Sequence, residues 1–184
     1  MKKLFLVALV LFAHAALFAQ TKWNVDVVHS SVKFTVEHLV ISEVEGMFKT
    51  FHGSMTSSNP DFTGSTVEFT VDVNSISTDN EMRDTHLKSD DFFGVATYPT
   101  AELVLTKVEG TNFSGNLTIK GITNPVSFTA TSSKDGKSTV YKGTLTIDRS
   151  KYNVKYGSKS FFDNLGDKVI NDEFTLDFNL VVAE

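Results

Sequence analysis

Apolar and polar residues alternate along three segments of the chain with a period of two. Val32, Phe34, Val36 and His38 share one face of an extended segment, and Lys33, Thr35 and Glu37 share the other. Val67, Phe69, Val71 and Val73 alternate in the same way with Glu68, Thr70 and Asp72, as do Phe174, Leu176, Phe178, Leu180 and Val182 with Glu173, Thr175, Asp177 and Asn179. Successive strand side chains point to opposite faces, so each segment reads as a strand with one buried side. Weaker alternation predicts strands over 44–51, 101–108, 113–120, 126–132 and 139–148. Ser57-Ser58-Asn59-Pro60, Glu109-Gly110, Asn124-Pro125 and Lys134-Asp135-Gly136 separate them and supply the restricted or positive φ angles of tight connections.

One segment breaks the alternation. Asp79 can cap a short helix whose first turn holds Glu81, whose Met82 and Leu87 face inward, and which ends before Asp90-Asp91. Many strands with short connections imply an all-β fold, and an open sheet of this size would leave two unprotected edges. Closure removes them. The expected architecture is therefore an antiparallel, lipocalin-like β-barrel of about eight strands with one short helix, wide enough inside for one small ligand. Gly46, Gly53 and Gly115 are the expected bulge sites, and a bulge inverts every inward assignment beyond it.

The N-terminus belongs to another category. Lys2 and Lys3 precede an apolar run over 4–11 and a small-residue stretch over 13–19, the pattern of a secretory leader whose apolar run is too short to span a bilayer. Residues 1–19 are expected to be removed, with Leu17 an unusually large residue three places before the cut, and residues 20–184 to form one domain. Losing Lys2 and Lys3 takes the net charge from −5 to −7. Lysines interspersed with acidic residues give no basic face for nucleic acid. With no cysteine in the chain, disulfides, thiol catalysis and thiol-ligated metals are excluded.

Outside the leader stand His29, His38, His52 and His86, none at the spacing of a zinc helix, so neither metal nor cofactor is expected. Arg83, Asp84 and His86 are the best candidates for chemistry, because a carboxylate can orient an imidazole and a guanidinium can hold an anion. The plainer reading is that Arg83 and Asp84 pin the helix to its neighbours, and that His38, which shares a face with Phe34 and Val36, is a hydrogen-bonded interior histidine. A ligand phosphate would meet Arg83 or Arg149. No serine lies in a nucleophile-elbow motif, and the glycosylation-like Asn112-Phe113-Ser114 and Asn116-Leu117-Thr118 are taken as chance. The inward set is unusually aromatic, since only Phe5, Phe12 and Phe18 of the 16 Phe fall in the leader. Phenylalanine at strand spacing fills a core in most small barrels and lines a pocket in a few.

Longer motifs shift that balance. Trp23-Asn24-Val25-Asp26 with His29-Ser30-Ser31-Val32-Lys33-Phe34, then Gly46-Met47-Phe48 and Phe51-His52-Gly53, resemble the opening blocks of the YceI-like family. The run from Arg83 to Phe93 followed by Tyr98-Pro99, the run from Gly115 to Thr123, Asp148-Arg149-Ser150 and the run from Gly166 to Ile170 resemble its later blocks, in order and over nearly the whole chain beyond the leader. The resemblance implies a periplasmic barrel that binds a long isoprenoid lipid, such as a polyprenyl or a quinone tail. Parity and the resemblance together place Phe34, Val36, Phe48, Phe69, Val71, Phe92, Phe93, Leu117, Ile119, Phe128, Leu145, Phe174, Leu176 and Phe178 along the lumen, and His38, Arg83 and His86 are the candidates to meet a ligand's head group. Two rivals stay open: a lipid-modifying enzyme using His86 with Asp84, and a secreted barrel with a filled core that meets another protein. Homodimerisation also stays open.

Overall fold

The computed structural model describes residues 21–38, 42–58 and 65–183. The leader at 1–19 and the Asn59-Pro60 half of one expected turn lie outside the described residues. The strands are β1 (Thr21–Val25), β2 (Ser31–His38), β3 (Ser42–Phe48), β4 (Phe51–Ser57), β5 (Thr66–Asp72), β6 (Ile76–Ser77), β7 (Thr100–Glu109), β8 (Asn112–Ile119), β9 (Ile122–Asp135), β10 (Ser138–Asp148) and β11 (Ile170–Ala183). Helix α1 spans Glu81–Lys88, between β6 and β7.

These pieces make eight staves. β11 pairs with β2 from Ile170 to Asn179 and with β1 at Val182 and Ala183, so β1 and β2 are two halves of one interrupted stave. β4 pairs with β1 and β3 with β2, while β5 pairs with β4 and β6 with β3, so the second and third staves are interrupted in the same way. β7 through β11 follow as continuous antiparallel neighbours, and β11 returns to the first stave. The result is a closed up-and-down barrel with no free sheet edge of full length.

The interruptions explain where the sequence reading fell short. The expected strand over 44–51 is two strands, because the chain steps sideways at Lys49-Thr50, where both backbone N–H groups donate to Ser75. Asn124-Pro125, expected as a turn, lies inside β9. The turn is Lys120-Gly121, with φ of 51° and 73° joining the paired Ile119 and Ile122, the mirror-image geometry that suits hairpins. Pro125 is tolerated because β9 pairs with β10 only from Thr129 onward, so its missing N–H falls on an unpaired side.

Gly46 and Gly53 are not bulges either. They stand in unbroken register opposite Phe34 and Phe69. One register shift lies in β7 between Leu105 and Lys107, across from Gly115 and Ser114, and it brings both Leu105 and Val108 to the buried side.

Helix α1 covers one end of the barrel. Asn80, not Asp79, is its cap: the Asn80 side chain accepts from the Arg83 N–H at 3.0 Å, while Asp79 takes a positive φ of 56°. Leu87 packs on the core, but Met82, expected inward, is 84% exposed. The first turn is tied down by polar bonds rather than by apolar contact, which leaves Met82 free to face outward. Thr78 is the tie. Asp84 accepts from its N–H at 2.8 Å and its hydroxyl at 2.6 Å, and Arg83 donates to the Thr78 hydroxyl at 2.8 Å and carbonyl at 3.1 Å.

Candidate functional site: the barrel lumen

The inward side chains do not fill the barrel. A cavity of about 160 Å³ runs through it, its surface apolar throughout, and a second of about 50 Å³ lies under α1. Phe48, Phe93 and Phe174 border both and form the partition between them. Along β11 the lining runs from Phe174 to Val182, roughly 26 Å at about 3.3 Å per strand residue. The space is therefore long and thin. Phe69, Phe128, Phe174 and Phe178 point inward yet are only half-buried, because they border this open channel.

Glycine keeps the channel open. Gly53 faces Phe69 and Gly143 faces Phe178 across neighbouring strands, and a Cβ at either position would stand 2.7 Å from the opposing ring. With hydrogen in that place, the ring lies back against the wall instead of projecting across the lumen. The rings also brace one another: Phe113 stacks on Phe128 at 5.5 Å between centroids, and Phe128 meets Phe178 edge to face at 5.7 Å.

The residues singled out from the sequence distribute as follows. Phe48, Phe69, Val71, Phe93, Leu117 and Ile119 border the main cavity, as do Phe128, Leu145, Phe174, Leu176 and Phe178. Phe34, Val36 and Phe92 border the smaller one. His38, Arg83 and His86 border neither. His38 is half-buried at the end of β2, where its carbonyl accepts from the Ser42 hydroxyl at 2.7 Å. Arg83 is engaged with Thr78. His86 meets Asp91 at 3.1 Å and packs edge-on against Phe92 and Tyr156, at 5.0 and 4.6 Å, so the pairing with Asp84 is not formed.

Sequence reasoning passed over Val67, Val73, Leu105, Phe113, Leu180 and Val182, all of which line the main cavity. Most share a face with chosen residues, so parity alone would have found them. Val25 and Met55 carried no such signal, because β1 and β4 were not foreseen.

Two charged groups close the helix-covered end. Arg149, 5% exposed, borders the smaller cavity but turns most of its donors to the backbone: it binds the carbonyls of Asn171, Val154, Tyr156 and Ile170 at 2.9 Å and approaches Asp172 at 3.4 Å. Burial pushes its guanidinium below the usual value, opposed by the charges of Asp172 and Asp148. Burial also works to raise Asp172, but hydrogen bonds from Ser158 and Ser160 and the charge of Arg149 outweigh it and hold the carboxyl low. Lys120 donates to the carbonyls of Asp90 and Phe92 at 2.9 and 2.8 Å, clamping the segment after α1 onto the barrel. Among the described residues no group of three or more His, Asp or Glu is placed to hold a metal, and no helix is long and apolar enough to cross a membrane.

Residues 23–182 match the YceI-like domain. The chain belongs to the YceI-like family. A UPF0312 protein of Staphylococcus aureus strain USA300 is 36% identical over 143 residues, covering 74% of this chain and 84% of the relative. Among solved structures, Burkholderia cenocepacia BcnA superposes with a TM-score of 0.74 at 27% identity, over 87% of this chain and 99% of that one. A polyisoprenoid-binding domain from Saccharophagus degradans shares the same YceI-like fold, with a TM-score of 0.71 at 18% identity over 88% and 97% of the two chains.

Proposed function

We propose that this YceI-like barrel binds the hydrocarbon tail of a lipid, of isoprenoid or quinone type, and carries it through the periplasm. The observation that carries the proposal is the lumen itself: a continuous apolar channel, long and narrow, lined by rings seated against glycine. Such a shape suits a flexible chain better than a compact guest. Each five-carbon unit drawn out of water contributes about 4 kcal/mol at ~0.8 per buried carbon, before ordering costs. The leader pattern at 1–19 supports export, and the polyisoprenoid-binding domain from Saccharophagus degradans supports the class of ligand.

The volume sets a condition. At about 160 Å³ the main cavity is close to the ~150 Å³ of an engineered cavity that admits benzene. More than about one isoprene unit therefore enters only as rings shift and the partition at Phe48, Phe93 and Phe174 opens into the smaller cavity. Organic extraction of the purified, leader-processed protein followed by mass spectrometry tests the proposal. Recovery of a tail-bearing lipid in near-stoichiometric amount is the expected result, and an extract without lipid overturns it. His86→Ala is expected to keep its lipid, since His86 borders neither cavity; accumulation of an unmodified lipid in that variant would favour an enzyme instead.

A further inference from the structure

The loop joining β10 to β11, at the end covered by α1, is unlike the rest of the surface. Residues 151–162 carry Lys151, Lys155 and Lys159 and no acidic residue, in a chain whose net charge is −5. The same stretch exposes Tyr156, Phe161 and Phe162 by 41, 40 and 49%. These rings are displayed on a firm base. Phe161 and Phe162 both donate backbone N–H groups to the carbonyl of Ser158, which is fully buried, at 3.2 and 3.1 Å. Ile170 binds the Gly157 carbonyl at 2.9 Å, and the Ser160 hydroxyl donates to Asp172 at 2.7 Å. Lys155 lies over the Phe161 ring at 5.1 Å. Lys151 is engaged with Asp148 at 3.7 Å, so Lys155 and Lys159 supply the charge.

We propose that this face docks on a bilayer containing anionic phospholipid, with Phe161 and Phe162 entering the headgroup region and Lys155 and Lys159 meeting lipid phosphates. Exposed aromatic rings beside lysines form an interfacial anchor, and each lysine contributes attraction to an anionic surface that falls off within a Debye length. The position is as informative as the composition. Tyr156 touches His86 and Phe92, and Phe92 borders the cavity beneath α1, so the docking face adjoins the end through which a tail would reach the lumen. The inference rests on the lipid-carrier reading and specifies where that carrier meets its lipid reservoir.

Co-sedimentation with vesicles of phosphatidylcholine alone, and of phosphatidylcholine mixed with phosphatidylglycerol, is the test. The wild type is expected to bind the mixed vesicles and to release them at high salt. Lys155→Ala with Lys159→Ala should weaken that binding by more than tenfold, at about fivefold per lysine. Phe161→Ser with Phe162→Ser should abolish it, while Val104→Ser, at an exposed position on the barrel wall, should leave it unchanged. Thermal melting of each variant alongside the wild type confirms that the fold is kept. Absence of vesicle binding by the wild type, or equal binding by the variants and the wild type, overturns the proposal. Lipid extracted from the same preparation separates the two readings: a tail-bearing lipid without vesicle binding sinks the docking face alone, and an empty extract sinks the carrier.

Discussion

Phe34 and Gly46 face each other across β2 and β3, and the Phe34 ring fills the place where a Cβ on residue 46 would stand. The same Cβ would also meet the Ser77 carbonyl oxygen at 2.8 Å, and backbone cannot swing aside as a ring can. At Gly53 the nearest obstacles are movable side chains, Phe69 and Val25. The two glycines therefore predict different defects. Gly46→Ala should cost stability, about 1–3 kcal/mol as for other overpacked sites, read by urea denaturation. Gly53→Ala should fold with a smaller loss and carry several-fold less lipid, because the displaced Phe69 ring projects into the channel.

Lys120 clamps the segment that follows α1 through two charge-assisted hydrogen bonds to carbonyls. Lys120→Met keeps the aliphatic stem and removes both bonds. It should destabilise the fold by about 1–2 kcal/mol and speed exchange of a bound hydrocarbon probe several-fold, followed by stopped-flow fluorescence. An unchanged exchange rate would show that Phe92 and its neighbours do not move when the tail passes.

Acid should loosen the helix-covered end. The Asp172 carboxyl is held below its usual 3.8 in the fold, so it adds stability above that value and loses it as pH falls through the lower folded value. Denaturation midpoints should drop below about pH 4, and Asp172→Asn should flatten that dependence while lowering stability at neutral pH. Arg149→Met should cost about 3–5 kcal/mol, since it strands Asp172 and the carbonyls of Asn171, Val154, Tyr156 and Ile170.

Alkali should act at the other end. Burial raises the Tyr141 hydroxyl from 10.0 to about 12, so its contribution is complete below pH 10 and is lost as pH rises from 10 toward 12. Tyr141→Phe should remove that part of the alkaline destabilisation, which spectrophotometric titration of the phenol in folded protein would check independently.

Much of this was legible in the chain because strand parity survives averaging. Val67 to Val73 and Phe174 to Val182 each keep one face apolar, and both line the lumen as that pattern requires. The misses have local causes. β1 and β6 are too brief to show a period, β4 hides its period because Gly53 and Ser57 share the inward face with Phe51 and Met55, and Pro125 looked like a turn because its unpaired side is a tertiary fact. The convergence of Arg83 and Asp84 on Thr78 was equally hidden, since neighbouring helix residues ordinarily diverge. The channel's hollowness depends on cross-strand pairing of rings with glycine, which no single segment reveals.

The circle of strands is completed where β11 meets the first stave, through β2 from Ser31 to His38 and through β1 at Asn24 with Ala183 and Val25 with Val182, pairings that span most of the described chain. Contacts of such separation demand the greatest loop-closure entropy and form late. Zipping of this seam should therefore come late in folding, which φ-values near zero at Val25 and Val182 would show, and until it forms the two flanking strands expose unpaired borders on which aggregation can start.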